Sequence, residues 1–290
     1  MNNLNPNISL HQSGIIKKIW ASWLPKSLTC LPATALGFVL LITSFLPSII
    51  LAQNGDLKED PEAREVFEEL DRRREKVTYE KTDMQMTIID PKGRERVRKM
   101  RSFSYDENQI NKNLIVFLEP ADVRGTAFLT ITRDDEELQK LYLPALGRVQ
   151  VITASQQNNR FMGSDFTYED LGAQNPDDYT FTLLSETDTM TTLKAIKKGT
   201  SQYAYIHFLV DPNRYTLEEA RYFDESGEMI KRLEASDYTE VLDEVWRAGT
   251  MVMYDLKADR RTRLEWTDRT INESIPEWRF TERALRRGVR

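Results

Sequence analysis

Three carboxylates that lie within six positions of this 290-residue chain are its best candidates for acid–base chemistry: Asp165, Glu169 and Asp170. Glycosidases need only a pair of carboxylates flanking the bond that they cleave. A hydrolase of that kind would require two of these acids to converge at the bottom of a cleft. The pattern favours another arrangement, with the acids on the surface of loops and strand ends and Asp165 accepting hydrogen bonds from turn amides.

Other catalytic arrangements find little support in the sequence. His207 is the only histidine after residue 52, and its place in a strand pattern predicts a structural residue. Cys30 is the only cysteine, so one histidine without a cysteine partner cannot build a zinc site after residue 52. Ser164 stands beside an acid, but no base follows at a recognisable spacing, and nucleotide-binding fingerprints are absent. We therefore predict a protein that is not an enzyme and that uses no cofactor or metal.

The N-terminal segment that precedes the candidate residues predicts export. Residues 1–52 carry three charged side chains (Lys17, Lys18 and Lys26), followed by an apolar run that ends at Ala52. This order is typical of a secretory signal peptide, and the run is also long enough to remain as a membrane anchor. In both cases the positive-inside rule sends the remaining chain into the periplasm. Cys30 precedes the apolar run, so it is not expected to be a lipidation site.

The charge balance argues against nucleic acid as a partner. The chain has 40 basic and 46 acidic residues, and the first 52 residues hold three of the bases and none of the acids. The remaining chain therefore carries 37 bases against 46 acids, a net charge of −9. Its densest basic stretch, Arg94 to Arg101, is interpreted as the solvent face of a strand rather than a site for anionic head groups. Chains without a concentrated basic face are poor binders of nucleic acid.

After an acidic tether (residues 53–60), residues 61–290 are predicted to form a single domain that opens with a helix. Pro61 suits a first helical turn. Val66, Phe67 and Leu70 then form a narrow apolar stripe that would pack against a sheet. A second, short helix is expected near Thr281.

Between the two helices the chain has the pattern of an antiparallel sheet. Apolar and polar residues alternate with a period of two, which is typical of strands wet on one face. Polar turns separate the strands, as at Asp90 to Gly93. Three further runs are interpreted as antiparallel strands: Glu119 to Ile131, Leu141 to Val149 and Phe161 to Leu171. The spacing predicts a sandwich or an up-and-down barrel.

The apolar face of this sheet has an unusual composition. Met84 and Met86 share one side of a strand, and Met251 and Met253 do the same later in the chain. Methionine is flexible and polarizable, so it lines adaptable binding surfaces as well as filling cores. The methionines coincide with aromatic residues along the same predicted strands. The pattern is compatible both with an apolar cavity and with ordinary core filling.

The three apolar runs also resemble the LolA-like family of outer-membrane lipoprotein-sorting proteins. The resemblance covers most of the chain from Pro61 onward and is sharpest between Glu119 and Leu171, where PADVRGT, LYLP and FMGSDF follow in order. It implies a mainly β fold with a few helices: a strongly curved, incomplete (half-open) antiparallel β-barrel with a helical lid. The familiar carriers of this fold are shorter than this chain, and its motifs belong to a longer branch. That branch is often associated with inner-membrane exporters of the RND type.

With this resemblance the sequence predicts a periplasmic carrier that shelters acyl chains of lipoproteins or lipids. Val66, Phe67 and Leu70 are expected to act as a lid. The expected cavity lining is formed by Met84, Met86, Phe117, Phe128, Leu141, Leu143, Phe161, Met162 and Phe166.

Two other readings remain open at the level of sequence. The same fold could serve as a sensor or accessory module of an RND-type transporter, which an uncleaved anchor would favour. The carboxylate-based hydrolase is the third reading. Residue pattern alone does not name the cargo or the oligomeric state.

Overall fold

The computed structural model describes residues 58–133 and 136–287, so the predicted signal peptide or anchor and residues 53–57 of the predicted tether lie outside the described residues. The first half contains α1 (Pro61–Glu75), β1 (Tyr79–Ile89), β2 (Glu95–Glu107), β3 (Ile110–Glu119), β4 (Ala127–Arg133), β5 (Glu136–Leu143) and β6 (Arg148–Ile152). The second half contains β7 (Tyr179–Glu186), β8 (Thr191–Lys197), β9 (Tyr205–Asp211), β10 (Thr216–Phe223), β11 (Met229–Ser236), β12 (Thr239–Leu242), β13 (Val245–Arg247), β14 (Thr250–Asp255), β15 (Arg260–Ile271) and α2 (Glu282–Arg287).

Across these described residues, thirteen strands form one curved antiparallel sheet that does not close. The strand order is β6-β5-β4-β3-β2-β1-β15-β14-β11-β10-β9-β8-β7, so β6 and β7 are the two edges. Strands β12 and β13 form a separate two-stranded ribbon between β11 and β14. The predicted half-open antiparallel barrel with helices is confirmed.

Helix α1 begins where the sequence predicts it. The Asp60 carboxylate accepts a hydrogen bond from the Glu62 amide, and Pro61 occupies the first turn, where its missing N–H is not needed. Phe67 points from the helix into a group of aromatic rings, with centroids 4.8 Å from Phe181 and 5.1 Å from Phe208. The helix is therefore fixed to the inner face of β7 and β9 by aromatic packing.

The sheet buries apolar residues on both faces. On the inner face, alternate residues of the strands form the larger core, which includes Met86, Phe117 and Met253. On the outer face of β2, β3 and β4, a smaller core contains Phe103 and Leu114 together with the C-terminal segment. Three residues of that segment cover it: Ile275, Phe280 and Leu285.

The strand prediction for Phe161 to Leu171 is wrong. These residues belong to residues 153–178, here called the inner segment, which joins β6 to β7. Phe161–Gly163 forms one 3-10 turn, and a single bridge pairs Arg160 with Thr167. Met162 and Gly163 have φ values of 50° and 74°, so the backbone turns away from an extended path. The apolar spacing of this segment resembles that of a strand because its aromatic residues Phe161, Phe166 and Tyr168 all pack against the inner face of the sheet.

The other two runs are strands only in part. Residues 120–125 form a turn between β3 and β4, and Pro144–Leu146 forms a 3-10 turn between β5 and β6. The short helix predicted near Thr281 is confirmed as α2. Most of the basic stretch Arg94 to Arg101 is exposed on β2, as predicted. Among the helices of the described ranges, none has the length and apolar character needed to cross a membrane.

Candidate functional site: a two-lobed cavity on the inner face

A cavity of about 440 Å³ lies between α1, the β12–β13 ribbon and the inner face of the sheet. We call it the outer lobe. Its apolar lining includes Phe67, Leu70, Val77, Phe208, Leu217, Val245 and Met251. Ligand pockets in proteins typically measure about 300–1,000 Å³, so the outer lobe is large enough for part of a lipid.

A second cavity of about 270 Å³, the inner lobe, continues from the first along β1, β2 and β15. The two lobes share lining residues, among them Ser104, Asn113, Leu171 and Met251, so they adjoin each other. The inner lobe is lined by Met84, Met86, Met100, Ile115, Phe161, Met251, Leu264 and Trp266. Four flexible thioether side chains give this lobe an adaptable surface.

The wall of the outer lobe carries charges that are already paired. Arg74 lies 3.0 Å from Asp106, and Arg247 lies 3.2 Å from Glu80. Glu80 also pairs with Arg269 at 2.8 Å. Burial raises the pKa of Asp106, although the Arg74 guanidinium opposes that rise. The paired charges leave the cavity wall polar but without a concentrated charge of one sign.

Helix α1 and the ribbon meet above the outer lobe. Arg247 of the ribbon donates a hydrogen bond to the Arg74 carbonyl at 2.9 Å. Glu244, in the ribbon turn, pairs with Lys76 at 3.3 Å. The two elements thus form one cover across the opening of the cavity, and their contacts are mainly polar.

The structure places the predicted lining residues in two groups. Met84, Met86 and Phe161 line the inner lobe. Phe117, Phe128, Leu141 and Phe166 are buried in the core that supports the inner segment, and Leu143 and Met162 are half-buried against it. Phe128 and Phe161 are in direct aromatic contact, with ring centroids 5.2 Å apart.

The predicted lid residues lie at the outer lobe. Phe67 and Leu70 line the cavity, and Val66 is half-buried against the core beside them. The cavity also has lining that the sequence predictions did not include: Met100, Leu264, Trp266 and the ribbon residues Val245, Trp246 and Arg247. The sequence contained a signal for Met251 as a lining residue, because Met251 and Met253 form the second methionine pair. The ribbon carried no comparable pattern.

The three candidate carboxylates are not on the surface, so that expectation is wrong. Asp165 is 1% exposed, and its carboxylate pairs with Arg160 and Arg260 and accepts a hydrogen bond from Thr262 at 2.7 Å. Glu169 is also buried, 3.7 Å from Lys197. These acids hold the inner segment against the sheet because a buried carboxylate needs such partners.

Asp170 belongs to a separate buried network. Its carboxylate lies 3.0 Å from the Lys231 amine and accepts a hydrogen bond from the Tyr203 hydroxyl at 2.7 Å. Lys231 also donates to Tyr203 at 2.9 Å. Burial, followed by the charge of Asp170, raises the pKa of Tyr203 well above its ordinary value. The network joins the inner segment to β11, and each of its polar groups is satisfied.

His207 lies on the outer face of β9, beside the rings of Tyr205 and Phe223, with centroid distances of 5.2 and 4.6 Å. Burial lowers its pKa, and the nearby charges of Lys194 and Arg221 act in the same direction. This position agrees with a structural residue. Within residues 58–133 and 136–287, no group of three His, Cys, Asp or Glu side chains has the geometry to hold a metal ion.

Residues 109–287 match a protein-family model described as an uncharacterized protein. A solved outer membrane lipoprotein-sorting protein domain from Vibrio parahaemolyticus is 29% identical, with a TM-score of 0.74, over 78% of this chain and 99% of that domain. No curated protein matches the chain.

Two more solved structures share the fold. A DUF1329 family protein from Desulfovibrio piger is 23% identical, with a TM-score of 0.73, over 78% of this chain and 98% of that one. A LolA superfamily protein from Nitrosomonas europaea is 19% identical, with a TM-score of 0.61, over 77% of this chain and 98% of that one.

Proposed function

Because this chain belongs to the LolA-like family of outer-membrane lipoprotein-sorting proteins, we propose that it is a periplasmic carrier of acyl chains. The chains of a lipoprotein or lipid bind in the two-lobed cavity and are passed toward the outer membrane. The observation that carries the proposal is the methionine-lined inner lobe, which continues into a larger lobe beneath a polar cover.

The energetics of burial support this role. Each methylene removed from water contributes about 0.8 kcal/mol, so an acyl chain that crosses an aqueous compartment needs a dry site. The inner lobe offers apolar side chains on β1, β2, β14 and β15. Methionine side chains can adjust to chains of different length and unsaturation without rebuilding the sheet.

The proposed carrier works without catalysis. The acids that first suggested a hydrolase are each engaged by cations or amides: Asp165 by two arginines, Glu169 by Lys197 and Gln202, and Asp170 by Lys231. None of the three lines either lobe. Such pairing favours binding and structural roles over general acid–base chemistry.

Release of the ligand would then depend on a partner that competes for the lipid or opens the cover. The resemblance to the longer LolA-like branch favours an inner-membrane permease of the RND type as that partner. The polar contacts between α1 and the ribbon support an opening movement there, since exposed ion pairs contribute only about 0–1 kcal/mol each.

The test compares two substitutions at adjacent positions of β14. Met251 lines both lobes, whereas Val252 points to the opposite face of the strand. We expect M251K to abolish uptake of a fluorescent fatty-acyl probe by the full chain, while V252K retains it. Mass spectrometry of organic extracts should find co-purified lipid in the native protein and in V252K.

Circular dichroism and thermal unfolding of both variants would establish that they fold. The carrier proposal fails if the folded native chain neither co-purifies with lipid nor takes up the probe. It also fails if M251K and V252K bind the probe equally, because binding would then lie outside the cavity.

A further inference from the structure

The C-terminal segment of the chain (residues 275–290) is basic, although residues 53–274 are acidic. The segment contains five arginines and two glutamates, a net charge of +3. Residues 53–274 contain 32 bases and 44 acids, a net charge of −12. The structure places residues 275–287 on the outer face of the sheet, opposite to the two-lobed cavity. The outer face therefore carries the basic part of an acidic protein.

Cations of the sheet pair with both glutamates of this segment. The Glu277 carboxylate lies 2.8 Å from the Lys112 amine, and the Glu282 carboxylate lies 3.3 Å from the Lys140 amine. Glu282 also pairs with Arg286 at 3.0 Å. Three arginines of the segment have no carboxylate partner among residues 58–133 and 136–287: Arg279, Arg283 and Arg287. Their guanidinium groups are available to an external anion.

Helix α2 presents arginines to solvent. Ala284 and Leu285 are its buried residues, and Leu285 belongs to the outer core. Arg283 and Arg287 are exposed and lie four residues apart, so they share one face of the helix. At about 3.6 residues per turn, this face points away from the two buried side chains. The packing of α2 on the sheet thus directs both arginines outward.

The indole of Trp278 is held at the same surface, where the residue is 53% exposed. The Arg279 guanidinium lies 5.0 Å from the Trp278 ring centroid and 4.5 Å from that of Phe103, a buried residue of the outer core. Cation–π contacts of this kind are attractive, so Arg279 links the exposed indole to the core. Tryptophan is enriched where a membrane meets water, because its ring is apolar and its N–H is polar.

A cavity of about 250 Å³, here called the outer-face cavity, lies beside Arg279. Lys81 lines it together with Arg279, and neither cation has a carboxylate partner in the described part of the chain. Arg101 also lines it but is bound to Asp83, with Nη2 2.7 Å from Oδ2. Glu273 is an exposed acid of the lining. The apolar wall is formed by Phe103, Ile275 and Pro276. The lining has an excess of positive charge, which favours an anionic group such as a phosphate.

An anionic phospholipid bilayer fits these features better than an acidic protein segment does. Clustered arginines are attracted to anionic head groups, and the exposed indole matches the boundary between head groups and acyl chains. An acidic protein would use the charges alone. We propose that the C-terminal segment docks the protein on the head groups of an anionic bilayer, with Trp278 inserted among them. This surface lies on the face opposite to the two-lobed cavity, so the proposal does not depend on the carrier function.

The test measures co-sedimentation with vesicles of two compositions: phosphatidylcholine alone, and equal parts of phosphatidylcholine and phosphatidylglycerol. It uses residues 53–290, because the apolar run before Ala52 would itself enter a bilayer. Both hydrophobic cores and all strands of the described sheet lie within residues 58–287, so this part of the chain contains the described fold. We expect binding to the anionic vesicles alone, and release at about 1 M salt, where the Debye length falls to about 3 Å.

The double variant Arg283→Gln/Arg287→Gln should lower the affinity for anionic vesicles by roughly tenfold or more, because each arginine near an anionic surface contributes roughly fivefold. The matched control, Arg96→Gln/Arg261→Gln, removes the same charge. Both of its arginines are exposed and pair with the last residues of β1, away from the C-terminal segment. The control should bind as the native sequence does, and thermal unfolding checks that every variant folds.

A lipid with a nitroxide-labelled head group should quench part of the tryptophan fluorescence, and Trp278→Phe should remove most of that quenching. The proposal fails if the native sequence binds neither vesicle or binds both equally, or if the two double variants lose affinity equally. Undiminished quenching in Trp278→Phe overturns the insertion of the indole. Binding of soluble polyglutamate without binding of vesicles overturns the proposal in favour of an acidic protein partner.

Discussion

At the scale of single residues, the ionisation of Glu137 is linked to how closely the inner segment packs against β5. The Glu137 carboxylate on β5 accepts a hydrogen bond from the Ala173 amide at 2.8 Å. A Cβ atom on Gly172 would come within 2.8 Å of the same carboxylate, so only glycine fits there without a shift. Burial raises the pKa of Glu137 from its ordinary value of 4.5, although the Ala173 amide opposes that rise.

This raised pKa has a definite consequence for stability. The ionised carboxylate of Glu137 is less favourable in the folded protein than in the unfolded chain. Its contribution to the free energy of unfolding is therefore fully present below pH 4.5 and is lost as the pH rises through its folded pKa. We expect Glu137→Gln to remove this loss. Urea unfolding at several pH values should show the variant gaining stability relative to the native protein above pH 4.5. Glu136→Gln, at the preceding position on the other face of β5, serves as control, and an equal gain there would contradict the assignment.

At the scale of elements, the cover of the cavity depends on how the ribbon meets α1. Arg247 is the main link, because it pairs with Glu80 and donates to the Arg74 carbonyl. Burial lowers its pKa, and the Glu80 carboxylate acts against that effect. The helix itself is held by the aromatic contacts of Phe67, whereas the ribbon is joined to the helix by the polar contacts of Arg247 and Glu244.

We expect Arg247→Gln to loosen the ribbon and to accelerate dissociation of a bound fluorescent fatty-acyl probe by roughly tenfold, equivalent to about 1.4 kcal/mol. Stopped-flow displacement would measure this rate. Arg232→Gln, which alters a half-exposed arginine beside Glu234 on β11, is the control and should leave the rate unchanged. An unchanged rate in Arg247→Gln would show that ligand leaves by another route.

Helices and strands with one face buried in the core could be predicted from the sequence, whereas the path of the inner segment could not. Strands such as β1 alternate apolar and polar residues because each has one face on the core, and α1 has a proline start and an apolar stripe. The inner segment has aromatic residues at strand-like spacing, but Met162 and Gly163 turn its backbone. Gly163 was a local signal of this turn in the sequence.

The lining of the cavity could likewise be predicted from the sequence only in part. Met84 and Met86 lie two residues apart on β1, so the sequence alone could place them on one apolar face of that strand. The polar part of the cavity lining at Asn113 and Thr130 could not be predicted, because these two residues adjoin only through the register between strands. Asn113 and Thr130 become neighbours by pairing of β3 with β4, and a shift of one residue would separate them.

At the scale of the whole molecule, the sheet is stabilised by layers on both faces. Leu285 of α2 is completely buried in the outer core, although its helix has only six residues. We expect Leu285→Ala to lower the free energy of unfolding by about 2–5 kcal/mol, as for other buried leucines. Chemical denaturation would measure it. Arg283→Ala, on the exposed side of the same helix, should change stability little, and a similar loss in both variants would contradict the role of Leu285 burial.

The pairing of β1 with β15 also has a consequence for the order of folding. Glu80 pairs with Ile271, so the centre of the sheet joins strands from opposite ends of the described chain. The flanking strands form two local meanders, each of which can assemble from neighbouring hairpins. Their union closes a loop of nearly two hundred residues, and such non-local contacts form slowly. During synthesis the first meander therefore waits, with the β15-facing edge of β1 unpaired, until β15 has emerged. This delay would leave the chain incompletely folded until β15 has been synthesised.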